Sequence, residues 1–273
     1  MTLHELGWST SFAHAFASLP RHNCSPARVV RQDRTGFLVR TEQGTLRAVL
    51  PGALLHQQTT RPVVGDWVAV ENAGPDQQAR IHAVLPRKSA FSRKEAGEVT
   101  REQVVAANVD TAFLMSGLDG DFNLRRIERY VTQTWSSGAA PVVLLNKADL
   151  RPDAEAVRAQ VEAAVPGVPV HLIRAQQAED LGALEPYLRP GETVVFLGSS
   201  GVGKSTLVNA LLGRDEMKTR AVREADSRGR HTTTHRELFI LPGGGIVIDT
   251  PGLRELQLWA SVEALDAGFA DVE

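Results

Sequence analysis

The 273-residue chain holds a single cysteine, Cys24, which excludes an internal disulfide and any multi-cysteine metal site within these residues. Long hydrophobic runs are also missing. The apolar stretches fall far short of what a membrane-spanning helix needs, so no transmembrane segment and no membrane partner are expected. The first residues, MTLHELGWSTSFAHAFASLP, lack a basic start and carry Glu5, which makes a poor signal peptide. Cytoplasmic residence is the simplest expectation. What remains, 42% apolar and 23% charged residues, is the composition of a globular protein able to bury a sizeable core. Its length leaves room for two domains or one large one.

Excess charge is small overall, at −2, but it is unevenly spread. Residues 1–101 carry 13 Lys+Arg against 8 Asp+Glu, and the remainder carries 17 against 24. Such asymmetry points to a first segment that meets a polyanion and a second with a different job. Ordinary scatter of surface charge is the plainer alternative.

Past an N-terminal extension (residues 1–26), short β-branched runs at 27–32, 35–40, 45–50, 63–71 and 78–85 are separated by Gly, Pro, Asn and Asp. They predict a small five-stranded barrel over 27–90, of OB type or SH3-like. The stretch RIHAVLPRKSAFSRK contains Arg80, Arg87, Lys88, Arg93 and Lys94 with no acidic residue, and Phe91 lies among them. Basic side chains meet phosphates and an aromatic stacks on an unpaired base, so these six residues are RNA-binding candidates. A solvated linker with one buried Phe reads equally well. Residues 91–103 are expected to connect two domains.

From about residue 104 the rhythm changes. Strand-like runs at 108–115, 141–145, 168–173, 192–198, 236–242 and 245–250 alternate with helix-like stretches at 123–137, 152–165 and 203–213. That alternation predicts an α/β domain over 104–258, a mostly parallel sheet with helices on both faces. Ligands of such sheets bind at the carboxyl ends of the strands.

Gly198-Ser199-Ser200-Gly201-Val202-Gly203-Lys204-Ser205, followed by Thr206, satisfies G-x-x-x-x-G-K-[ST] between a strand and a helix. In this motif consecutive backbone N–H groups surround the β-phosphate, Lys204 bridges the β- and γ-oxygens, and Ser205 ligates Mg²⁺. Further on, the strand IVIDTPG ends in Asp249, placed to reach the Mg²⁺ through a water, and the Gly252 N–H is placed to sense the γ-phosphate. The polar stretch 214–237 between them fits a switch loop, with Thr233 favoured over Thr232 as the threonine on Mg²⁺.

Asn146-Lys147-Ala148-Asp149 follows the strand PVVLL. A carboxylate at Asp149 accepts from both N1–H and the 2-amino group of guanine, and adenine offers no such donor pair. Lys147 lays its stem along the base, and Asn146 ties the loop to the phosphate side. After the next strand come Arg174 and Ala175, where GTPases commonly have Ser-Ala. The Ala175 N–H is then a candidate for guanine O6, and Arg174 departs from the usual serine.

The base-reading elements thus precede the phosphate loop, the reverse of the usual GTPase order but a cyclic rotation of it. A parallel sheet tolerates such permutation because loops reconnect at the surface without moving any site residue. A β-barrel followed by N-K-A-D, G-S-S-G-V-G-K-S-T, G-R-H-T-T-T and D-T-P-G resembles the ribosome small-subunit-dependent GTPase A (RsgA) family, over nearly all of residues 27–260. The resemblance implies a circularly permuted GTPase using Mg²⁺ with GTP and GDP. It implies binding to the small ribosomal subunit and its 16S rRNA, a part in late subunit maturation, and slow hydrolysis that the subunit stimulates. A monomer is expected. The family continues into a zinc-binding helical domain rich in Cys and His. No zinc ligand follows residue 249 here, so 259–273 reads as the start of a helical region cut short, and the zinc domain is expected to be absent from these residues.

Leu253 stands where many GTPases carry the glutamine that orients the attacking water. A leucine cannot hold that water, so another polar group is required. His231, just before the threonines, is the nearest in sequence, the alternative being an exposed histidine without a role. The catalytic set is therefore read as His231, Lys204 and Thr233. Two competing functions remain open at this point: an ATP-using P-loop enzyme, and an RNA-binding module that uses nucleotide only as a clamp.

Overall fold

The computed structural model describes residues 1–20, 23–33, 35–52, 61–71, 78–94, 102–120, 122–213 and 236–249. Each β-branched run bounded by turn residues contains a strand. Five of them close a barrel: β1 (Ser25–Gln32), β2 (Phe37–Thr41), β3 (Gly44–Val49), β4 (Trp67–Glu71) and β5 (Ala79–Val84). They run in the order β1-β2-β3-β5-β4, with β4 returning to β1. The β3–β5 pair is parallel and the others antiparallel. This is the OB-type order, and it removes the SH3-like alternative. Every second residue points inward, so Ala27, Val29, Val39, Ala48, Val68, Val70, Ala79 and Ile81 fill the barrel.

Extended structure predicted from residue 63 begins only at Trp67. The chain turns first: Asp66 Oδ2 accepts the Val63 N–H at 2.8 Å, and Gly65 takes a φ of 93°. The N-terminal extension is ordered against this corner. Its helix α1 (Thr10–Ala17) and the preceding turn set Leu6 and Phe12 against Trp67 and Leu85, with the Trp8 and Trp67 rings 4.6 Å apart.

Residues read as a linker include an antiparallel hairpin, β6 (Ala90–Lys94) with β7 (Glu102–Ala107). Polar content hid it. The apolar residues it carries, Phe91 and Val105, are buried in the main core, which is why the segment is structured.

The remaining elements are β8 (Thr111–Gly117), α2 (Leu124–Ser136), β9 (Ala140–Asn146), α3 (Ala154–Ala164), β10 (Val170–Ile173), a 3₁₀ segment (Ala178–Tyr187), β11 (Thr193–Leu197), α4 (Lys204–Leu212), β12 (Arg236–Ile240) and β13 (Ile246–Asp249). The strand order is β10-β9-β8-β11-β13-β12, parallel except for the β13–β12 pair. The central strand β8 is buried along its whole length, as a parallel strand covered on both faces must be. Helix α2 starts where the Asn123 side chain accepts the Arg126 N–H at 2.9 Å. Its buried stripe, Ile127, Tyr130, Val131 and Thr134, has the helical spacing. Ile127 and Val131 of α2 and Val157 and Val161 of α3 pack on one face of the sheet, and Leu207 and Val208 of α4 on the other.

Barrel and sheet are continuous. One edge of β1 is divided, Ser25–Arg28 pairing with β4 and Arg31–Gln32 with β12, which joins the two into one eleven-stranded sheet. Beside this joint lies Arg28, 1% exposed. Its guanidinium donates to Leu6 O, to Gly65 O at 3.3 Å, to Asn108 O at 3.3 Å and to Thr193 Oγ1 at 2.9 Å. Burial draws its pKa down to about 10, yet it remains charged at neutral pH. One side chain thereby holds the N-terminal turn, the barrel corner and the start of β11.

Candidate functional site

Five parallel strands end on the same side. Gly117 and Ile173 are both level with Asn146, and Asp249 follows the Val195–Ile248 pair, which puts it level with Phe196. The loop after β11 thus lies between Asp249 on one side and the ends of β8 and β9 on the other.

That loop is Gly198 to Gly203. Gly198 and Gly203 take φ values of 146° and 104°, and neither tolerates a side chain: an added Cβ would run into Met115 O at the first and Asn146 Nδ2 at the second. Lys204 opens α4, and its ammonium turns back to donate to Gly198 O at 2.6 Å and Ser199 O at 2.5 Å. Val202 is buried as the loop's apolar anchor, while Ser200 and Gly201 are exposed. Ser205 and Thr206 lie half-buried in the first turn of α4, where the helix leaves N–H groups unpaired. The half-buried Asp249 adds an acid at the neighbouring strand end.

Asn146 joins this loop to the one that follows β10. Its side chain is buried, donating from Nδ2 to Val202 O at 2.8 Å and accepting the Ala175 N–H on Oδ1 at 2.9 Å. The sequence assigned that Ala175 N–H to guanine O6, but here it is bound to Asn146. Lys147 adopts a left-handed backbone (φ 61°), and its ammonium pairs with Asp119. Asp149 is exposed on the short turn that follows. Arg174, the departure from serine, forks onto Asp180 at 2.8 and 2.9 Å, while its own N–H binds the same carboxylate at 2.7 Å. These bonds hold the Asp180 carboxyl below the usual range and close the loop after β10.

The loop after β8 was not read as part of the site. Leu118 N–H donates to Asn146 O at 2.8 Å, Asp119 holds Lys147, and Arg151 lies over the Phe122 ring at 5.7 Å. The available signal was positional: β8 is a parallel strand, and the loop at its carboxyl end lies on the side where such sheets bind ligands.

The RNA-binding candidates separate. Phe91 is 1% exposed in the main core and cannot stack on a base. Arg87 forks onto the buried Asp66 at 2.7 Å through both Nε and Nη2, which commits its guanidinium to the fold. Lys88 is exposed but paired with Asp110, and Arg93 donates to Gln103 at 3.0 Å. Arg80 is exposed on β5. The Lys94 side chain lies outside the described residues, as do His231, Thr232, Thr233, Gly252 and Leu253.

A family model described as RsgA GTPase matches residues 84–259. The small ribosomal subunit biogenesis GTPase RsgA of Opitutus terrae is 50% identical over 275 residues, which cover 97% of this chain and 75% of that protein. The protein of the same name from Xanthomonas axonopodis pv. citri is 45% identical, over 100% of this chain and 76% of its own length. Among solved structures, YjeQ from Thermotoga maritima superimposes with a TM-score of 0.63 at 25% identity, over 85% of this chain and 76% of that one. YloQ, described as a circularly permuted GTPase, gives 0.62 at 22% identity, over 87% of this chain and 74% of that one, a likeness of fold.

Proposed function

The chain belongs to the RsgA GTPase family, and from that premise we propose that it binds the small ribosomal subunit and hydrolyses GTP there during late subunit maturation. GTPase chemistry goes with the family; the subunit, its 16S rRNA, a monomeric state and cytoplasmic residence are the finer reading. The observation that supports the GTPase part of it is the Asn146 side chain, whose two bonds tie the loop after β10 to the loop after β11.

In this reading Asp149 accepts from the two guanine donors and Lys147, steadied by Asp119, covers the base. The residues Gly198 to Thr206 surround the phosphates. Lys204 exchanges its two loop carbonyls for β- and γ-oxygens. The donors that flank the end of β11 are a hydroxyl and a carboxylate, Ser205 and Asp249. Such hard oxygens suit Mg²⁺, which keeps several waters and needs few protein ligands beside the phosphates. Bound there, the ion would neutralise charge developing on the γ-phosphate. Thr233 is assigned to the same ion, Gly252 to sensing the γ-phosphate, and His231 to the attacking water, all outside the described residues. A site with Leu253 in place of glutamine turns over slowly until a partner completes it. Domain limits of 27–90 for the barrel and 104–258 for the GTPase unit belong to the same proposal.

Steady-state hydrolysis measured with and without purified small subunits tests the function. Stimulation is expected, and equal rates would overturn the subunit reading. ATP displacing labelled GDP as well as GTP does would overturn the guanine assignment.

A further inference from the structure

Among the described residues only Lys147 and Asn108 combine a side chain with a positive φ. At 61°, Lys147 holds a backbone conformation that such residues keep only where their surroundings fix it. Three contacts do so here. The Lys147 carbonyl accepts the Leu150 N–H at 3.1 Å, the preceding Asn146 carbonyl accepts the Leu118 N–H at 2.8 Å, and the Lys147 ammonium pairs with the Asp119 carboxylate. The last two come from the loop after β8, with Asp119 standing 28 positions earlier in the chain. A Cβ on Gly117, the final residue of β8, would lie 2.7 Å from Asp119 Oδ1, so this glycine leaves the space into which the carboxylate folds back.

Stability does not account for this pair. Both side chains are 32% exposed, and an ion pair so open to water contributes little to folding. What it fixes is a direction. A lysine carries its charge on a flexible four-carbon stem, which lies flat along a ring only if the ammonium is held beyond the far edge. Asp119 supplies that hold from a strand other than the one that carries Lys147. An apolar stem against a ring face discriminates weakly between rings of one shape, because it does not meet the groups on the ring's edge. The edge falls to the exposed Asp149 on the turn that follows Lys147. Face and edge of a base are thereby served by different residues.

We propose that Asp119 is a positioning residue for the purine: by holding the Lys147 stem over the ring face it sets how long a nucleotide stays bound, while Asp149 sets which base is accepted. The proposal deepens the guanine reading above and rests on it. Release of fluorescent GDP, and of fluorescent inosine diphosphate, which lacks the 2-amino group, is followed by stopped flow from the full chain. Asp119→Asn should speed the release of both by the same factor, on the order of fivefold, with the urea midpoint unchanged. Asp119→Glu restores the anion and should return most of the slow release. In a Lys147→Met chain, which keeps a stem and loses the ammonium, adding Asp119→Asn should change nothing further. Unaltered GDP release in Asp119→Asn would overturn the proposal, as would an effect on GDP alone or one that adds in full to that of Lys147→Met. Faster release together with a lower urea midpoint would also overturn it, marking the acid as merely structural. If ADP displaces labelled GDP from the unaltered chain as well as GDP does, while Asp119→Asn still speeds release of both probes, the guanine reading fails and the positioning role stands.

Discussion

At the residue scale, the proposed nucleotide site is tied together by a buried amide. Asn146 satisfies Val202 O and the Ala175 N–H together, so Asn146→Ala leaves both without a partner in a buried position. The variant should lose about 2–4 kcal/mol of unfolding free energy. It should also weaken guanine-nucleotide binding; urea denaturation and titration with fluorescent GDP check the two effects. The N-K-A-D and G-K-S motifs were legible because each encodes a local geometry at fixed spacing. Asp119 and the use of Ala175 by Asn146 were not, since both depend on which strand ends lie side by side. The pairing of Arg87 was hidden for a related reason, since a basic run looks the same from outside whether its partners are solvent or a buried Asp66, while the burial of Phe91 was one of the two readings its segment allowed.

At the element scale, hydrophobic period and turn chemistry placed every strand of the barrel and sheet to within a few residues. They failed where polar composition masked a paired backbone, as in the β6–β7 hairpin. The 3₁₀ segment was also missed. Its ten residues carry Pro186 and lack helical periodicity, and they are held from outside, by Arg174 at one end and by His171 at the other. The His171 Nε2 and the Tyr187 hydroxyl are 3.1 Å apart, and burial, with the Arg158 charge second, keeps His171 below its ordinary value of 6.5. A histidine depressed in the folded state is protonated first in the unfolded chain. Its contribution is therefore complete above pH 6.5 and is lost as pH falls from 6.5 toward the folded value. Thermal melts should show stability falling with pH across that window, and His171→Gln should flatten the decline.

At the scale of the whole molecule, the rotated motif order was legible because permutation preserves the sheet while moving the termini. The joint between barrel and sheet was not. Nothing in the sequence around Arg28 distinguishes it from Arg31, the half-buried arginine of the same strand, since its four acceptors come from residues 6, 65, 108 and 193. Arg28→Met would strip those acceptors of their donor at once, costing roughly 3 kcal/mol or more. The expected outcome is a lower urea midpoint, and release of bound fluorescent GDP should then no longer coincide with the loss of far-ultraviolet circular dichroism.

The shared β1–β12 edge has a consequence for solubility. A sheet of eleven strands would ordinarily offer long rows of unpaired backbone N–H and C=O groups to another copy of itself. Here β1 pairs with Arg236 and Glu237 at the start of β12, and the barrel closes on its own strands. Among the described residues of this sheet, the outermost strand left is β10, four residues long. The joint thus removes part of the β12 edge from strand-to-strand association, and the GTPase half expressed alone would expose the backbone of Arg236 and Glu237 that the intact chain pairs.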